Sequence, residues 1–508
     1  MRLGIVLTSK PYSGGAFTYA SFMLEAISRN SGNDIERVAY YTDSMWEKYL
    51  ARYGNIRGFL LNRDYQKIIN ELNNSLCDII LISDQLNWCR DITIPTITPI
   101  HDLMHIYERG HGFNEIEDGD CFKRRQLLYS DIYAYSAGIL TDSELGREQV
   151  LDQYGRVKED RVYSLPFSVP FYLDERRDVV KVSVPKKYMF YPAQFWKHKN
   201  HEALVKAVAK LKDKGLSTKL VFVGSDKGNL KYIEKLISDA GVKENINILG
   251  FVPDNEMYFL YKNARAMIMP SVFGPTNIPP LEAMYVGCPV AVSNLYAMPE
   301  QVGDAGLLFN PYDIDEVSEV LERLWCDDNL CAILAEKGRE QVKQFSIEKF
   351  AEKLINYTLD VYEKEKALMY GIKRIVGQCR EKNVYIYGAG EYARDIFAIL
   401  NYFGVKIKGF LVSEKTDDEG YLGLKVHRIF SYEHGDKNLI ILGLHQRNYP
   451  MIYEVLTERG ITLKDVVPLS EQVTGEMWKF LTTIRGKTCF EIITRQKMSP
   501  TSVSGGCD

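Results

Sequence analysis

Several groups of residues in this chain have types and spacings suited to a phosphate-bearing substrate. In one, Arg265-Ala266-Met267-Ile268-Met269-Pro270 reads as a buried strand running into Phe273-Gly274-Pro275-Thr276-Asn277 and then Ile278-Pro279-Pro280-Leu281-Glu282. Pro279 and Pro280 suit a first helical turn, where a missing N–H costs nothing, and the remaining amides there present partial positive charge to the loop. That geometry suits a phosphate. Glu282, close to the helix start, can accept hydrogen bonds from sugar hydroxyls; the plainer alternative is a capping or dipole-facing carboxylate.

Lys199, in Trp196-Lys197-His198-Lys199-Asn200-His201, precedes another helical pattern. A cation there opposes the helix dipole, so an ammonium and a helix terminus sharing one anion would explain its position. Gly14 and Gly15 follow the first apolar run and let backbone approach a ligand closely, although an ordinary strand-to-helix turn would look the same.

His101-Asp102-x-x-His105 has the spacing of a zinc-protease motif with Asp for Glu. That chemistry needs both histidines on one helical face, whereas His101 closes a strand, so no metal is expected. Asp118-Gly119-Asp120 is an Asp-x-Asp triplet in a polar stretch, His111 to Asp120, that reads as a surface loop; such a triplet is common in acidic loops. Lys123-Arg124-Arg125 opens an amphipathic pattern whose basic face is expected to meet solvent, or an anionic acceptor or lipid headgroup.

The elements that must position these groups alternate between short apolar runs and amphipathic stretches, the pattern of parallel sheets covered by helices. In the first 170 residues the expected strands are 3–8, 36–41, 78–82, 96–100 and 138–141, with a helix from Phe17 to Arg29 and a cap at Thr141-Asp142-Ser143-Glu144. A charged linker lies at about 171 to 186. A second unit, 187–345, carries strands at Tyr188 to Tyr191, Leu220 to Ser225 and Ile248 to Pro253.

A third unit is expected over 372–470. Strand Asn383 to Tyr387, the turn Gly388-Ala389-Gly390-Glu391-Tyr392-Ala393 and a following helix supply the context of a dinucleotide fingerprint, with Gly388, Gly390 and Ala393 as a candidate second nucleotide site. The acidic residue expected about twenty positions on is not clearly placed, since strand Ile407 to Val412 ends at Ser413 with Glu414 beyond. A Rossmann-like accessory or dimerising module is the other reading. Residues 471–508 read as an irregular extension with a Ser/Gly-rich, disordered tail.

At 508 residues the chain is long enough for two to four domains, and a net charge of −4 gives no global argument for nucleic acid. Nine cysteines without paired spacing suit a reduced compartment. The amino terminus enters a buried strand rather than a signal pattern, and no stretch approaches a membrane span. The expected location is cytoplasmic, at most peripheral to the inner face of a membrane.

The run from Met269 to Pro311, with Leu281-Glu282-Ala283-Met284, Val292-Ser293-Asn294, Met298-Pro299-Glu300 and Gly303-Asp304-Ala305-Gly306, resembles the donor-binding segment of retaining GT-B glycosyltransferases of family 4. The resemblance implies an α/β fold of two facing Rossmann-like domains, 1–170 on the acceptor side and 187–345 on the nucleotide-sugar side. A helix over 346–370 would cross back to the first domain. It further implies a nucleoside-diphosphate-sugar donor, a glycan or lipid-linked acceptor, and no required cofactor.

By the same resemblance His101 touches the donor sugar, Gly14 and Gly15 lie near the phosphates and Lys199 grips the diphosphate. Gln194 stands where many members have Arg. Gly224 and the backbone near Val252 cradle the nucleotide, and Glu282 holds the ribose. Gly274 occupies a position where many members carry a Glu, so the backbone around Thr276, Asn277 and Ile278 is expected to take over its sugar contacts. A nucleotide-sugar epimerase, a sugar-nucleotide sensor and a nicotinamide-dependent oxidoreductase using Gly388 to Ala393 are the competing functions.

Overall fold

The computed structural model describes residues 1–11, 14–29, 35–92, 94–108, 113, 119–170, 173, 180–274, 276–379, 381–413 and 420–482. The chain divides into two compact units. One comprises Met1–Trp88, Thr96–Ile132 and Gly138–Thr358; the other comprises Cys89–Pro95, Tyr133–Ala137 and the chain from Leu359 onward.

The first unit contains two parallel sheets. The amino-terminal lobe is built on β1 (Arg2–Leu7), β2 (Glu36–Tyr41), β3 (Ile56–Leu60), β4 (Ile79–Ile82), β5 (Thr96–Pro99), β6 (Gly138–Thr141) and β7 (Val162–Ser164), in the order β3-β2-β1-β4-β5-β6-β7. The second lobe uses β8 (Met189–Pro192), β9 (Leu220–Val223), β10 (Ile246–Ile248), β11 (Ala266–Met269), β12 (Val290–Ser293) and β13 (Gly306–Phe309), in the order β10-β9-β8-β11-β12-β13. Strands such as Ile79–Ile82 and Ala266–Met269 are buried at every position, as a sheet covered on both faces requires.

Two strands of the first sheet had no clear sequence signal. β3 is an edge strand in which only Ile56 is buried, so it lacks an apolar run. β7 is three residues long. Conversely, Ile248 to Pro253 is not a strand: β10 ends at Ile248, and Gly250 turns the chain at φ +71°.

The lobes touch within this unit. Met104 and Phe113 pack with Val272 and Phe273, the Tyr296 hydroxyl donates to the Glu108 carboxylate, and the Glu144 N–H donates to Glu300 Oε1 at 3.2 Å. The helix Ile347–Cys379 begins against the amino-terminal lobe. Arg29 pairs with Glu348 at 2.5 Å, Tyr357 stacks on Tyr163 with ring centroids 4.5 Å apart, and its hydroxyl donates to the Ser164 carbonyl. This helix runs past the expected end at 370.

The second unit holds a separate sheet of β14 (Asn383–Tyr387), β15 (Ile407–Val412), β16 (Gly420–Tyr421), β17 (Leu424–Arg428), β18 (Asn438–Leu442) and β19 (Val466–Val467), in the order β16-β17-β15-β14-β18-β19. All its pairs are parallel except β16 with β17. Gly388 leaves β14 at φ +118°, and a Cβ there would lie 2.6 Å from the Gly443 carbonyl oxygen, so close packing of two turns requires glycine. Glu471–Thr482 is helical rather than irregular, because Val473, Met477 and Phe480 supply an apolar stripe to the core. Residues 483–508 and Glu414 lie outside the described residues.

Candidate functional site

Strand order reverses beside β8 in the second sheet and beside β1 in the first. In open parallel sheets the crevice at the carboxyl ends of strands flanking such a reversal is where ligands bind. β8 and β11 are neighbours across the second reversal, and their following loops carry Gln194, Lys199, Gly274, Thr276 and Asn277.

Those loops are tied together. Lys199 Nζ donates to Asn277 Oδ1 at 2.8 Å. The Val272 N–H donates to the His198 carbonyl at 2.9 Å, and the Tyr191 hydroxyl to the Lys199 carbonyl at 2.7 Å. Lys199 ends a short 3-10 turn, Asn200 reverses the chain in the left-handed region at φ +54°, and His201 opens the helix His201–Asp213. Asn tolerates that conformation better than most residues.

The His201 ring is fully buried, stacked on Phe195 at 4.3 Å and close to Tyr191 and Phe222. Burial lowers its pKa to about 3, so it is a neutral core side chain that fixes the turn.

After β11, Gly274 adopts φ +138°, and a Cβ there would lie 2.8 Å from Asn277 Nδ2. Gly274, where the resembling family often carries a Glu, therefore holds a conformation that L-residues rarely adopt, and a side chain there would have to displace the Asn277 carboxamide. The helix Ile278–Val286 then starts with Pro279 and Pro280 in its first turn. Asn277's own amide donates to Gln301 Oε1 at 3.2 Å, so within Thr276 to Ile278 the other two amides carry the anion-binding expectation. The hydroxyl of Thr276 is buried and has no hydrogen-bond partner among the described residues.

Glu282 sits one turn further along and is 7% exposed; Tyr261 donates its hydroxyl to Glu282 Oε2 at 2.5 Å. Gly224 follows β9 at φ +156°, donates its N–H to the Gly250 carbonyl, and lies so close to the loop after β8 that a Cβ would stand 2.2 Å from the Ala193 carbonyl oxygen. Val252, buried at 8% exposure, follows in the same loop as Gly250.

The amino-terminal lobe brings Gly14 to this site. A Cβ at Gly14 would come within 3.9 Å of Gln194 Nε2, whose carboxamide oxygen accepts from the Trp196 indole. Gly15, by contrast, opens the helix Gly15–Arg29 with open space beside it.

His101 follows β5, and its Nδ1 lies 2.8 Å from Asp142 Oδ1 in the loop after β6. Tyr19 packs edge-on against the imidazole with centroids 4.5 Å apart, and Gln85 Oε1 accepts the His101 N–H. Burial works to lower the His101 pKa, but the Asp142 carboxylate, with Asp102 and Asp84 behind it, raises it above the ordinary value. Burial likewise raises Asp142, against the pull of His101.

His105 does not join this cluster. It is buried against Phe122 and Tyr129, and burial together with Arg125 lowers its pKa to about 4.

Arg125 corrects the expectation of a solvated basic face: it pairs with Asp102 at 2.6 Å and with the Tyr129 hydroxyl at 2.9 Å. Lys123 and Arg124 are exposed. Asp120 lies in the helix Gly119–Tyr135 rather than in a loop, and Asp118 lies outside the described residues. Among the described residues, no group of three His, Cys, Asp or Glu side chains could hold a metal ion. Gly388, Gly390 and Ala393 belong to the other unit, where the Tyr421 hydroxyl donates to the Gly390 carbonyl.

Sequence reasoning passed over Asp142, read only as part of a helix cap, and Gln301. The first could have been suspected as a carboxylate at a strand end beside a histidine-bearing one. Nothing in the sequence points to the second.

Residues 174–341 match the family model of glycosyl transferases group 1. Over 119 residues the chain is 40% identical to the O-antigen chain mannosyltransferase B of Escherichia coli, covering 23% of this chain and 31% of that protein. Over 275 residues it is 25% identical to the serotype-specific mannosyltransferase WbdA of Escherichia coli, covering 52% and 32%. The chain thus spans about a third of the length of these curated relatives.

Among solved structures, the sucrose-phosphate synthase from Thermosynechococcus elongatus superposes with a TM-score of 0.57 at 16% identity, covering 72% of this chain and 99% of that one. Anabaena HepE in complex with UDP and glucose gives 0.55 at 14%, covering 70% and 98%. The shared architecture is the GT-B fold of two Rossmann-like domains, to which this chain adds a third, mostly parallel sheet.

Proposed function

We propose that the chain, carrying a segment that matches glycosyl transferases group 1, is a retaining hexosyltransferase. It would move a sugar from a nucleoside-diphosphate donor to a glycan or lipid-linked acceptor in surface polysaccharide synthesis. The observation that carries this reading is Lys199 and Asn277 joined across the crevice beside β8, where the helix Ile278–Val286 also begins.

Breaking the bond from the anomeric carbon to phosphate leaves negative charge on the departing diphosphate. A fixed ammonium and oriented amides stabilise that charge, most strongly where water is excluded. Lys199, the amides of Thr276 and Ile278, and the Gly14-Gly15 turn supply the donors in this reading, and no metal ion is required. The leaving phosphate assists deprotonation of the acceptor hydroxyl. His101, oriented by Asp142, presents its other ring nitrogen to the sugar, and Glu282 meets the ribose. Acting in the cytoplasm, peripheral to the membrane, would bring the enzyme to a lipid-linked acceptor.

The names of the mannosyltransferase relatives favour a mannosyl donor. Incubation with GDP-mannose, UDP-glucose and other nucleotide-sugars, with and without chelator, should release free nucleoside diphosphate slowly and faster with the correct acceptor. Isomerisation of the donor would instead indicate an epimerase, and binding without turnover a sensor.

A further inference from the structure

The loop after β11 is held from a third element that the proposed chemistry does not use. Gln301 lies in the short helix Met298–Val302 and is 2% exposed. Its Nε2 donates to the Asn277 carbonyl at 2.6 Å, and its Oε1 accepts the Asn277 N–H at 3.2 Å. One partner is an acceptor and the other a donor, so the carboxamide orientation is fixed by the backbone it grips. Gln301 is itself anchored: its N–H donates to the Ala297 carbonyl at 2.9 Å, and its carbonyl accepts from Gln341 Nε2 at 3.2 Å.

We infer that Gln301 is a positioning residue of the diphosphate site, clamping the Asn277 backbone so that the Asn277 side chain holds the Lys199 ammonium in place. This rests on the reading that Lys199 binds diphosphate. A buried carboxamide is costly unless both its ends are satisfied. Here both ends are satisfied by the residue whose side chain meets Lys199 at 2.8 Å. The rest of the loop closes around the same group, because at Gly274 a Cβ would strike Asn277 Nδ2 and the Asn277 Nδ2 also reaches Met298 Sδ at 3.7 Å. A side chain serving only packing at this point of the helix would need no amide.

Calorimetric binding of UDP, GDP and inorganic pyrophosphate tests this with wild type, Gln301→Glu, Gln301→Leu, Lys199→Ala, and each Gln301 change combined with Lys199→Ala. Thermal melts check that each variant folds. Gln301→Glu keeps the acceptor for the Asn277 N–H but sets a carboxylate against its carbonyl, so it loses half of the clamp with little change of shape.

The expected result is a loss of about fivefold or more in affinity for either Gln301 variant, shrinking to about twofold or less when Lys199 is already alanine, as for residues acting through one network. Equal losses in both backgrounds would make Gln301 a packing residue and overturn the inference. Wild-type affinity in the Gln301 variants, with Lys199→Ala impaired, would overturn it while leaving the site reading intact. Failure of the wild type to bind any of the three, or unchanged binding in Lys199→Ala, would overturn the site reading and the inference with it.

Discussion

His101 Nδ1 and Asp142 Oδ1 lie 2.8 Å apart, joining the loops that follow two adjacent strands of the amino-terminal sheet. The groups facing His101 are Asp142, Asp102 and Asp84, with Tyr19 from the first helix, and their balance raises its pKa. A raised folded-state value means that protonation of the His101 ring stabilises the fold below the unfolded histidine value of about 6.5. That stabilisation is lost as pH rises through the folded value. Asp142→Asn should lower the His101 pKa and flatten this dependence, read by NMR titration of the imidazole and by urea midpoints across pH. An unchanged titration would remove Asp142 as the cause.

Lys199→Ala should lower turnover of the correct donor at least tenfold, the effect of about 1.4 kcal/mol on a barrier. Lys199→Arg should recover little, because a planar fork does not replace a compact ammonium at the Asn277 carboxamide. Steady-state rates with a confirmed donor decide this, and wild-type turnover in the alanine variant would exclude Lys199 from the chemistry.

Introducing at Gly274 the glutamate that the resembling glycosyltransferases often carry should not create a productive contact. At φ +138° and with Asn277 Nδ2 in the way, Gly274→Glu and Gly274→Ala must both strain the loop. Each should cost on the order of 1–3 kcal/mol. Chemical denaturation measures the cost, and a Gly274→Glu variant of wild-type stability and higher turnover would contradict the loop geometry.

Two glycines of the crevice should separate structure from ligand contact. Gly224→Ala places a methyl 2.2 Å from the Ala193 carbonyl oxygen, backbone against backbone, and should destabilise by roughly 3 kcal/mol or more. Gly15→Asp has open space and adds charge at a helix start, so its melting temperature should hold while donor affinity falls severalfold. Melting curves and donor titrations on both variants check the contrast.

His201 and His105 set an acid limit. Their folded-state values, about 3 and about 4, lie below the unfolded value because burial disfavours the charged ring. The neutral rings therefore stabilise fully above pH ~6.5, and each loses about 1.4 kcal/mol per pH unit as pH falls toward its folded value. Unfolding midpoints between pH 7 and 4 should show this slope, and His201→Phe, which keeps an aromatic ring beside Phe195, should make it shallower.

Much of the scaffold was legible because buried parallel strands leave short apolar runs: Ala266–Met269, Leu220–Val223, Gly138–Thr141 and Asn383–Tyr387 all lie where such runs occur. Edge strand β3 was not, since an exposed edge needs no apolar pattern. Arg125 looked like a solvated charge because a sequence shows neighbours along the chain, whereas its partner Asp102 arrives from the end of β5.

By itself, then, the sequence determined the residue types at each strand end: glycines where backbone must approach, prolines at a helix start, and a lysine placed against a helix dipole. These are local requirements of φ, of missing N–H groups and of charge near a terminus, and they are written in consecutive residues. Only the tertiary structure decided what those ends meet. Lys199 finds Asn277 78 residues away, Asn277 is gripped by Gln301, and His101 turns to Asp142, because parallel strands far apart in sequence deliver their loops to one edge of a sheet.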